Sequence, residues 1–290
     1  MSVSSIGRPV RGSDGRPQLL LLTEPALPEL TDDDLPLLQA FRDAGWDARP
    51  AVWSDPIPDA DVAIIRSTWD YVGRLDEFLD VLDATARRMQ LWNPAETVRW
   101  NADKGYLLEL SRAGIPMPAT TVVRRGSTLD FGAVLGELGA DEVVVKPLVG
   151  AGGSRTWRGR AGDDVAWAAS LANSDVLVQR YVPEVATAGE WSLVFFGDTY
   201  SHAVIKHPGA GEFRVQEQYG GSWRAATPQS WMIRAAERVL ESIPHSWRYA
   251  RIDGIVVGGE FLLMEAELIE PQCFFPAAPG SAGMLVGSFR

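Results

Sequence analysis

The chain has 290 residues, 46% of them hydrophobic, with 38 acidic against 27 basic side chains and a net charge of −11. This length and apolar content bury a substantial core in more than one lobe, and the acidic balance disfavours non-specific binding to nucleic acid or anionic membranes. A single cysteine, Cys273, excludes an internal disulfide and a cysteine zinc cluster and suits a reducing cytoplasm, while His202, His207 and His245 lack helical zinc spacing.

Residues 1–17 are polar and rich in Arg and Gly, and read as a frayed, disordered N-terminus. The apolar run 19–22 is too short for a signal peptide or a membrane span, so a soluble cytoplasmic protein is expected, a monomer or homodimer. Residues 18–23 predict a buried first strand. Thr31 or Asp32 caps a helix to about Ala44, with Gly45 as its stop. Strands over 48–52 and 62–66 follow, then an amphipathic helix with Leu75, Phe78, Leu79 and Leu82 on one side. This alternation predicts a doubly wound parallel sheet over residues 18–92, and such sheets bind ligands at the carboxyl ends of their strands. Arg66, Ser67, Thr68, Trp69, Asp70 and Tyr71 follow one of those ends. They make either a binding loop or a capped loop whose aromatics pack inward.

A second unit, 93–180, begins at Asn93-Pro94. A helix is expected from Lys104 to Gly114, ended by the glycine and the Pro116/Pro118 pair. Strands over 120–123, 143–145 and 176–179 alternate with helices over 131–138 and 165–172. The third unit, 181–290, is richer in β structure: a hairpin turns at Gly197-Asp198, and a helix over 229–242 leads to a second hairpin at Gly258-Gly259.

Lys146 ends the strand 143–145 and precedes Gly150, Gly152, Gly153 and Ser154. Glycines let backbone amides approach phosphate oxygens, and the lysine adds a point charge. The order is not that of a P-loop, and a strand-end lysine is equally a solvated terminus. Gln179, Arg180, Tyr181 and Val182 leave one lobe for the next, where unpaired backbone groups can read an adenine edge and Glu184 can accept from ribose hydroxyls. A polar inter-lobe linker explains the same residues. Lys206 and Arg214, with Lys104 and Arg251, add cations at element ends.

The last hairpin carries Asp253 on one strand and Glu265 and Glu267 on the other. With a three-residue loop, Gly258 to Glu260, Asp253 faces Glu265, Arg251 faces Glu267, and all four charges share a face. Ile252, Gly254, Val256, Leu262, Met264 and Ala266 then make an apolar opposite face. A two-residue loop would split the carboxylates between faces. Carboxylates converging in this way repel one another unless a cation such as Mg²⁺ joins them; the alternative is an acidic face exposed to water.

Taken together, a lysine before a helix, the strand-lysine-glycine loop, the Gln-Arg-Tyr connector, Arg-x-Asp and the Glu-x-Glu hairpin resemble the ATP-grasp superfamily over residues 90–271. The first hundred residues resemble the domain that precedes it there. The resemblance implies an N-terminal doubly wound α/β domain followed by two α+β lobes that clamp ATP. It implies phosphate contacts for Lys104 and Lys146, a flexible cover at 150–154, and adenine and ribose contacts at 179–184. It also implies Mg²⁺ on Asp253, Glu265 and Glu267, with Arg251 steadying the reacting centre and Arg214 and Lys206 as further catalytic cations. Glu267 departs from the asparagine common at that position. The Arg66 to Tyr71 stretch, Asn93-Pro94 and Glu265-Ala-Glu-Leu-Ile-Glu-Pro271 are similar to the branch containing D-cycloserine synthetase. By that resemblance the chain is expected to be an ATP- and Mg²⁺-dependent carboxylate–amine ligase acting through an acyl phosphate on a small amino-acid-like substrate. Arg66, Ser67, Trp69, Asp70 and Tyr71 would hold that substrate. Ligation closes a ring or joins two amino acids; a non-catalytic ATP sensor is the alternative from another class.

Overall fold

Three sheets follow one another in the computed structural model, which describes residues 15–289. Most of the expected frayed segment, residues 1–14, lies outside the described residues; the Pro17 carbonyl already accepts from the Asp47 N–H at 2.9 Å. Strand β1 (Gln18–Thr23), helix α1 (Leu35–Asp43), β2 (Asp47–Val52), β3 (Val62–Ser67), α2 (Leu75–Ala86) and β4 (Gln90–Trp92) form a parallel sheet of order β2-β1-β3-β4. The run of four leucines in β1 is apolar without alternation because both faces are covered. Leu19 and Leu21 meet α1, Leu20 and Leu22 meet α2, and each of the four contributes about 2 kcal/mol by its burial. Helix α1 starts two or three residues later than expected. Asp34, not Thr31 or Asp32, is its N-cap residue, and Thr31 Oγ1 donates to Asp34 Oδ2 at 3.1 Å.

Helices α3 (Ala95–Ala102) and α4 (Tyr106–Arg112) follow, so Lys104 sits in the break between two helices and not inside the single helix expected from it. The second sheet, order β5-β8-β6-β7, is antiparallel. It comprises β5 (Thr120–Val123), then after α5 (Phe131–Glu137) β6 (Glu142–Pro147) and β7 (Trp157–Arg160), then after α6 (Asp164–Asn173) β8 (Val176–Arg180).

The chain then makes a short helix, α7 (Glu184–Thr187), and a third sheet from β9 (Glu190–Phe196), β10 (Thr199–His207), β11 (Ser222–Ala226), β12 (Tyr249–Val257) and β13 (Glu260–Glu267), with α8 (Ser230–Glu241) between β11 and β12. Its order is β11-β10-β9-β12-β13, all antiparallel. The last helix, α9 (Ser281–Gly287), returns to the first sheet and packs beside α1.

The β12–β13 hairpin corrects one expectation and keeps its consequence. Its loop has two residues: Val257 pairs with Glu260, and Gly258 and Gly259 both adopt positive φ (59° and 86°), as a type I′ turn requires. A slip follows between Asp253 and Gly254, where Gly254 pairs with Leu263 and Asp253 with Glu265. This β-bulge adds one residue to β13 and so restores the pairings Asp253–Glu265 and Arg251–Glu267. On the loop side of the bulge the faces of β13 are exchanged relative to the expected pattern, while Val256 of β12 keeps its expected side. Phe261 and Leu263 enter the core with Ile252 and Ala266, while Met264 packs with Val182, Val185 and Ile255 on the other side.

Candidate active site

A cleft of about 550 Å³ opens where the three sheets meet. Its floor is the charged face of β12 and β13. Asp253 is 3% exposed and accepts from Arg251 twice (Nε to Oδ1 and Nη2 to Oδ2, both 2.9 Å), from Lys206 Nζ at 3.1 Å and from Ser192 Oγ at 2.6 Å. Burial opposes its charge, but Arg251 and Lys206 hold its pKa well below the ordinary value. Lys206 also meets Glu190 at 2.6 Å, because β9 and β10 place the two directly opposite. Arg251 Nη2 reaches Glu267, and its Nη1 donates to the Gln272 carbonyl at 3.1 Å.

Glu265 pairs with Lys104 at 3.0 Å, and Lys104 Nζ donates also to the Gly150 carbonyl at 2.5 Å. Despite burial, Lys104 and Lys146 lower the Glu265 pKa. Burial pushes Glu267 up to about 7, with Asp253 and Glu265 adding to it against Arg251. Lys146 is in no ion pair among the described residues, and burial and the nearby Lys104 lower its pKa. The expected convergence of three carboxylates is therefore met in part: they share one floor, but each faces a side-chain cation. Among the described residues no group of three His, Cys, Asp or Glu is poised as a metal site.

The second sheet supplies one wall. Gly152 and Gly153 have positive φ (58° and 70°), and Gln218 Nε2 donates to the Gly152 carbonyl at 2.8 Å, so the loop 150–154 touches the segment after β10. Gln179 is 1% exposed; its Nε2 donates to Thr120 Oγ1 at 3.0 Å, and its Oε1 has no partner among the described residues. Arg180, Tyr181 and Val182 line the cleft beside it, while Glu184 opens α7 outside the lining. Arg214 lines the cleft with its guanidinium on Glu212 (Nη2 to Oε2, 2.8 Å) and over the Tyr219 ring at 3.5 Å.

The first sheet closes the remaining end, and here the sequence reading divides. Trp69 and Tyr71 line the cleft. Arg66, Ser67 and Asp70 do not. Arg66 is 1% exposed; its Nε donates to Asp34 Oδ1 at 2.7 Å and its Nη2 to the Pro271 carbonyl at 2.8 Å. Ser67 Oγ donates to Asp34 Oδ2 at 2.5 Å, and Asp70 Oδ1 accepts from Trp53 Nε1 at 2.6 Å. These three brace the first sheet through partners inside the protein, although Arg66 Nη1 is buried with no hydrogen-bond partner among the described residues.

Sequence reading passed over Glu190, Ser192, Met264, Glu270 and Phe274. No local signal marked Glu190 or Ser192: the hairpin turn alone would set Glu190 opposite Ile205, a bulge between Tyr200 and His202 sets it opposite Lys206, and the pairing of β9 with β12 sets Ser192 beside Asp253. Glu270 and Phe274 follow β13 in irregular chain, and only the tertiary structure turns them into the cleft. Glu270 is 7% exposed, and burial with the nearby Glu267 pushes it up to about 8.

The fold is that of ATP-grasp ligases. A D-alanine–D-alanine ligase from Bacillus anthracis, solved with ATP, superposes with a TM-score of 0.69 at 14% identity over 94% of this chain and 95% of that one. The crystal structure of D-cycloserine synthetase DcsG superposes with a TM-score of 0.83 at 28% identity, over 94% of this chain and 98% of that one. Residues 19–93 match the family described as D-cycloserine synthetase DcsG, N-terminal domain. The cycloserine biosynthesis protein DcsG of Streptomyces lavendulae is 36% identical over 279 residues, covering 88% of this chain and 91% of that protein. The chain belongs to the DcsG-like branch of the ATP-grasp superfamily. It is an ATP-dependent ligase that forms C–N bonds. ATP-grasp ligases of this fold have been solved with ATP and with Mg²⁺ and ADP, and among the described residues no helix is long and apolar enough to cross a membrane.

Proposed function

We propose that this protein closes the ring of D-cycloserine, using ATP to activate the carboxylate of O-ureido-D-serine as an acyl phosphate: the oxygen-bound ureido nitrogen attacks the acyl carbon, phosphate leaves, and water takes the carbamoyl group off that nitrogen as carbamate. The observation that supports it best is a single cleft in which Trp69 and Tyr71 face the floor bearing Lys104, Lys146, Asp253, Glu265 and Glu267. A carboxylate held at the aromatic end can therefore meet a phosphoryl donor held over the floor.

In this reading the unpartnered Gln179 Oε1 accepts from the adenine amino group, and the backbone of Tyr181 and Val182 reads the ring edge. Met264 gives the base an apolar wall. Lys104 and Lys146 contact the nucleotide phosphates, and the Gly150, Gly152, Gly153 and Ser154 loop covers them with backbone amides. Asp253, Glu265 and Glu267 fit a hard cation by their donor chemistry, and would hold Mg²⁺ once lysine charges transfer to phosphate oxygens. Bound there, Mg²⁺ neutralises charge on the phosphoryl group in transfer. Arg251, fixed by Asp253, Glu267 and the Gln272 carbonyl, stabilises the oxyanion formed at the substrate carbonyl; Lys206 keeps Asp253 charged, and Arg214 adds positive charge from the side.

The test is release of ADP from ATP and Mg²⁺ on adding O-ureido-D-serine alone, with the ring product identified by mass. Release that needs a second amino acid would move the chain to intermolecular ligation. No release with either enantiomer would remove the substrate assignment.

A further inference from the structure

Resting on that reading, we infer that Glu270 is the group that recognises the substrate's α-ammonium, in the cleft whose lining also carries Trp69, Tyr71 and Phe274. Asp70, one of the residues expected to hold the substrate, has its carboxylate committed to Trp53 outside the cleft. Glu270 stands in the lining of the cleft at the end built by the first sheet, beside Ile269. The other carboxylates of the floor each have a basic side chain: Asp253 and Glu267 have Arg251, Glu265 has Lys104, and Glu190 has Lys206. Among the described residues Glu270 is in no ion pair, and its side-chain partner is the buried Tyr71 phenol.

A carboxylate 7% exposed, near Glu267 and Glu265, is a costly group to bury unless a cation comes to it. Lys104 acts on it only from a distance and is committed to Glu265 and the Gly150 carbonyl, so an ammonium can still be drawn here, attracted to aromatic faces as well as to the carboxylate. Phe274 is held for this by its neighbours. It adopts φ 52°, its ring packs against Trp223 at 5.2 Å, and its N–H and those of Cys273 and Phe275 donate to the Asp33 carboxylate at 3.2, 2.9 and 3.0 Å. The chemistry of the proposed substrate requires such a contact. Ring closure uses the carboxylate and the ureido nitrogen, so the α-ammonium passes through the reaction unchanged and remains free for recognition.

The experiment compares O-ureido-D-serine with its des-amino analogue, 3-(ureidooxy)propanoate, on the wild type and on Glu270→Gln, following ADP release and measuring ATP affinity by calorimetry. The wild type is expected to prefer the amino acid. Glu270→Gln raises KM for the amino acid by about 30-fold, in line with loss of a charged hydrogen bond, while the analogue's kcat/KM and ATP affinity stay as they were. Should Glu270→Gln fail to fold, the wild-type comparison alone decides: equal kcat/KM for the two probes overturns the inference. It is likewise overturned if the variant keeps the full preference or loses activity on both probes equally. Absence of ADP release with O-ureidoserine of either hand removes the underlying substrate reading instead, a result distinct from all of these.

Discussion

Asp253 receives four donated hydrogen bonds on two oxygens, three of them from cations. The sequence shows carboxylates opposite one another and so suggests that neutralising one would relieve repulsion. The structure reverses the sign. Asp253→Asn leaves buried Arg251 and Lys206 short of counter-charge and is expected to cost about 3–5 kcal/mol, read from denaturant melts. Arg251 lies two residues from Asp253 on the same face of β12, a relation legible in the sequence; Lys206 reaches it only through the pairing of β9 with both β10 and β12. Glu267 carries a second prediction. Burial and its carboxylate neighbours hold it up to about 7, so in the empty site it keeps a proton through the acid side of neutrality. As a Mg²⁺ ligand it must lose that proton. The Mg²⁺ concentration for half-maximal turnover is therefore expected to fall as pH rises from about 6 to 8, and a flat profile would remove Glu267 from the ligand set.

At the scale of elements, the floor depends on an edge strand with a bulge. β13 is the outer strand of its sheet, and its outward backbone groups are met by side chains and a loop from the helical segment. Asn101 Nδ2 donates to the Ala266 carbonyl at 2.8 Å, Asn101 Oδ1 accepts from the Leu268 N–H at 2.9 Å, and the Tyr106 hydroxyl accepts from the Ala266 N–H at 2.9 Å. The Pro116 carbonyl accepts from the Leu263 N–H at 2.8 Å. These contacts leave no outer strand room to pair and fix Glu265 and Glu267 in place. Gly254 sits opposite the bulge, and a Cβ there would lie 2.2 Å from the Phe261 ring and 2.8 Å from the Leu262 carbonyl. Gly254→Ala is expected to destabilise by about 1–3 kcal/mol and to depress turnover by displacing Glu265, checked by thermal melts beside ADP release. Normal turnover in a destabilised Gly254→Ala would mean that the bulge serves packing alone.

In the whole molecule, distant segments are joined by buried polar nodes. Asn93 Nδ2 donates to the carbonyls of Tyr249 and Leu268 at 2.9 and 2.7 Å, tying the end of the first sheet to β12 and to the end of β13. Arg66 bridges Asp34 to the Pro271 carbonyl, 205 residues away in sequence. Arg66→Ala is therefore expected to lose about 3–5 kcal/mol of stability with ATP affinity unchanged. Lys146→Ala should do the opposite, melting like the wild type but binding ATP about 10- to 100-fold more weakly by calorimetry, since among the described residues this lysine is in no ion pair. Equal behaviour of the two variants would contradict the division between brace and site. The sequence by itself determined the parallel first sheet, the hairpin carboxylates and the lysine and glycine loop, because each is written in local periodicity or short spacing; the superfamily came from the resemblance that those motifs carry together. It misjudged Arg66, Ser67 and Asp70, because a polar side chain after a strand looks the same whether it faces a ligand or a buried partner. Which of those it faces was decided by Asp34 and Trp53 from other elements, and by the path after β13 that turns Glu270 into the cleft. Those are long-range contacts, fixed by how the three sheets pack and carried by no local pattern.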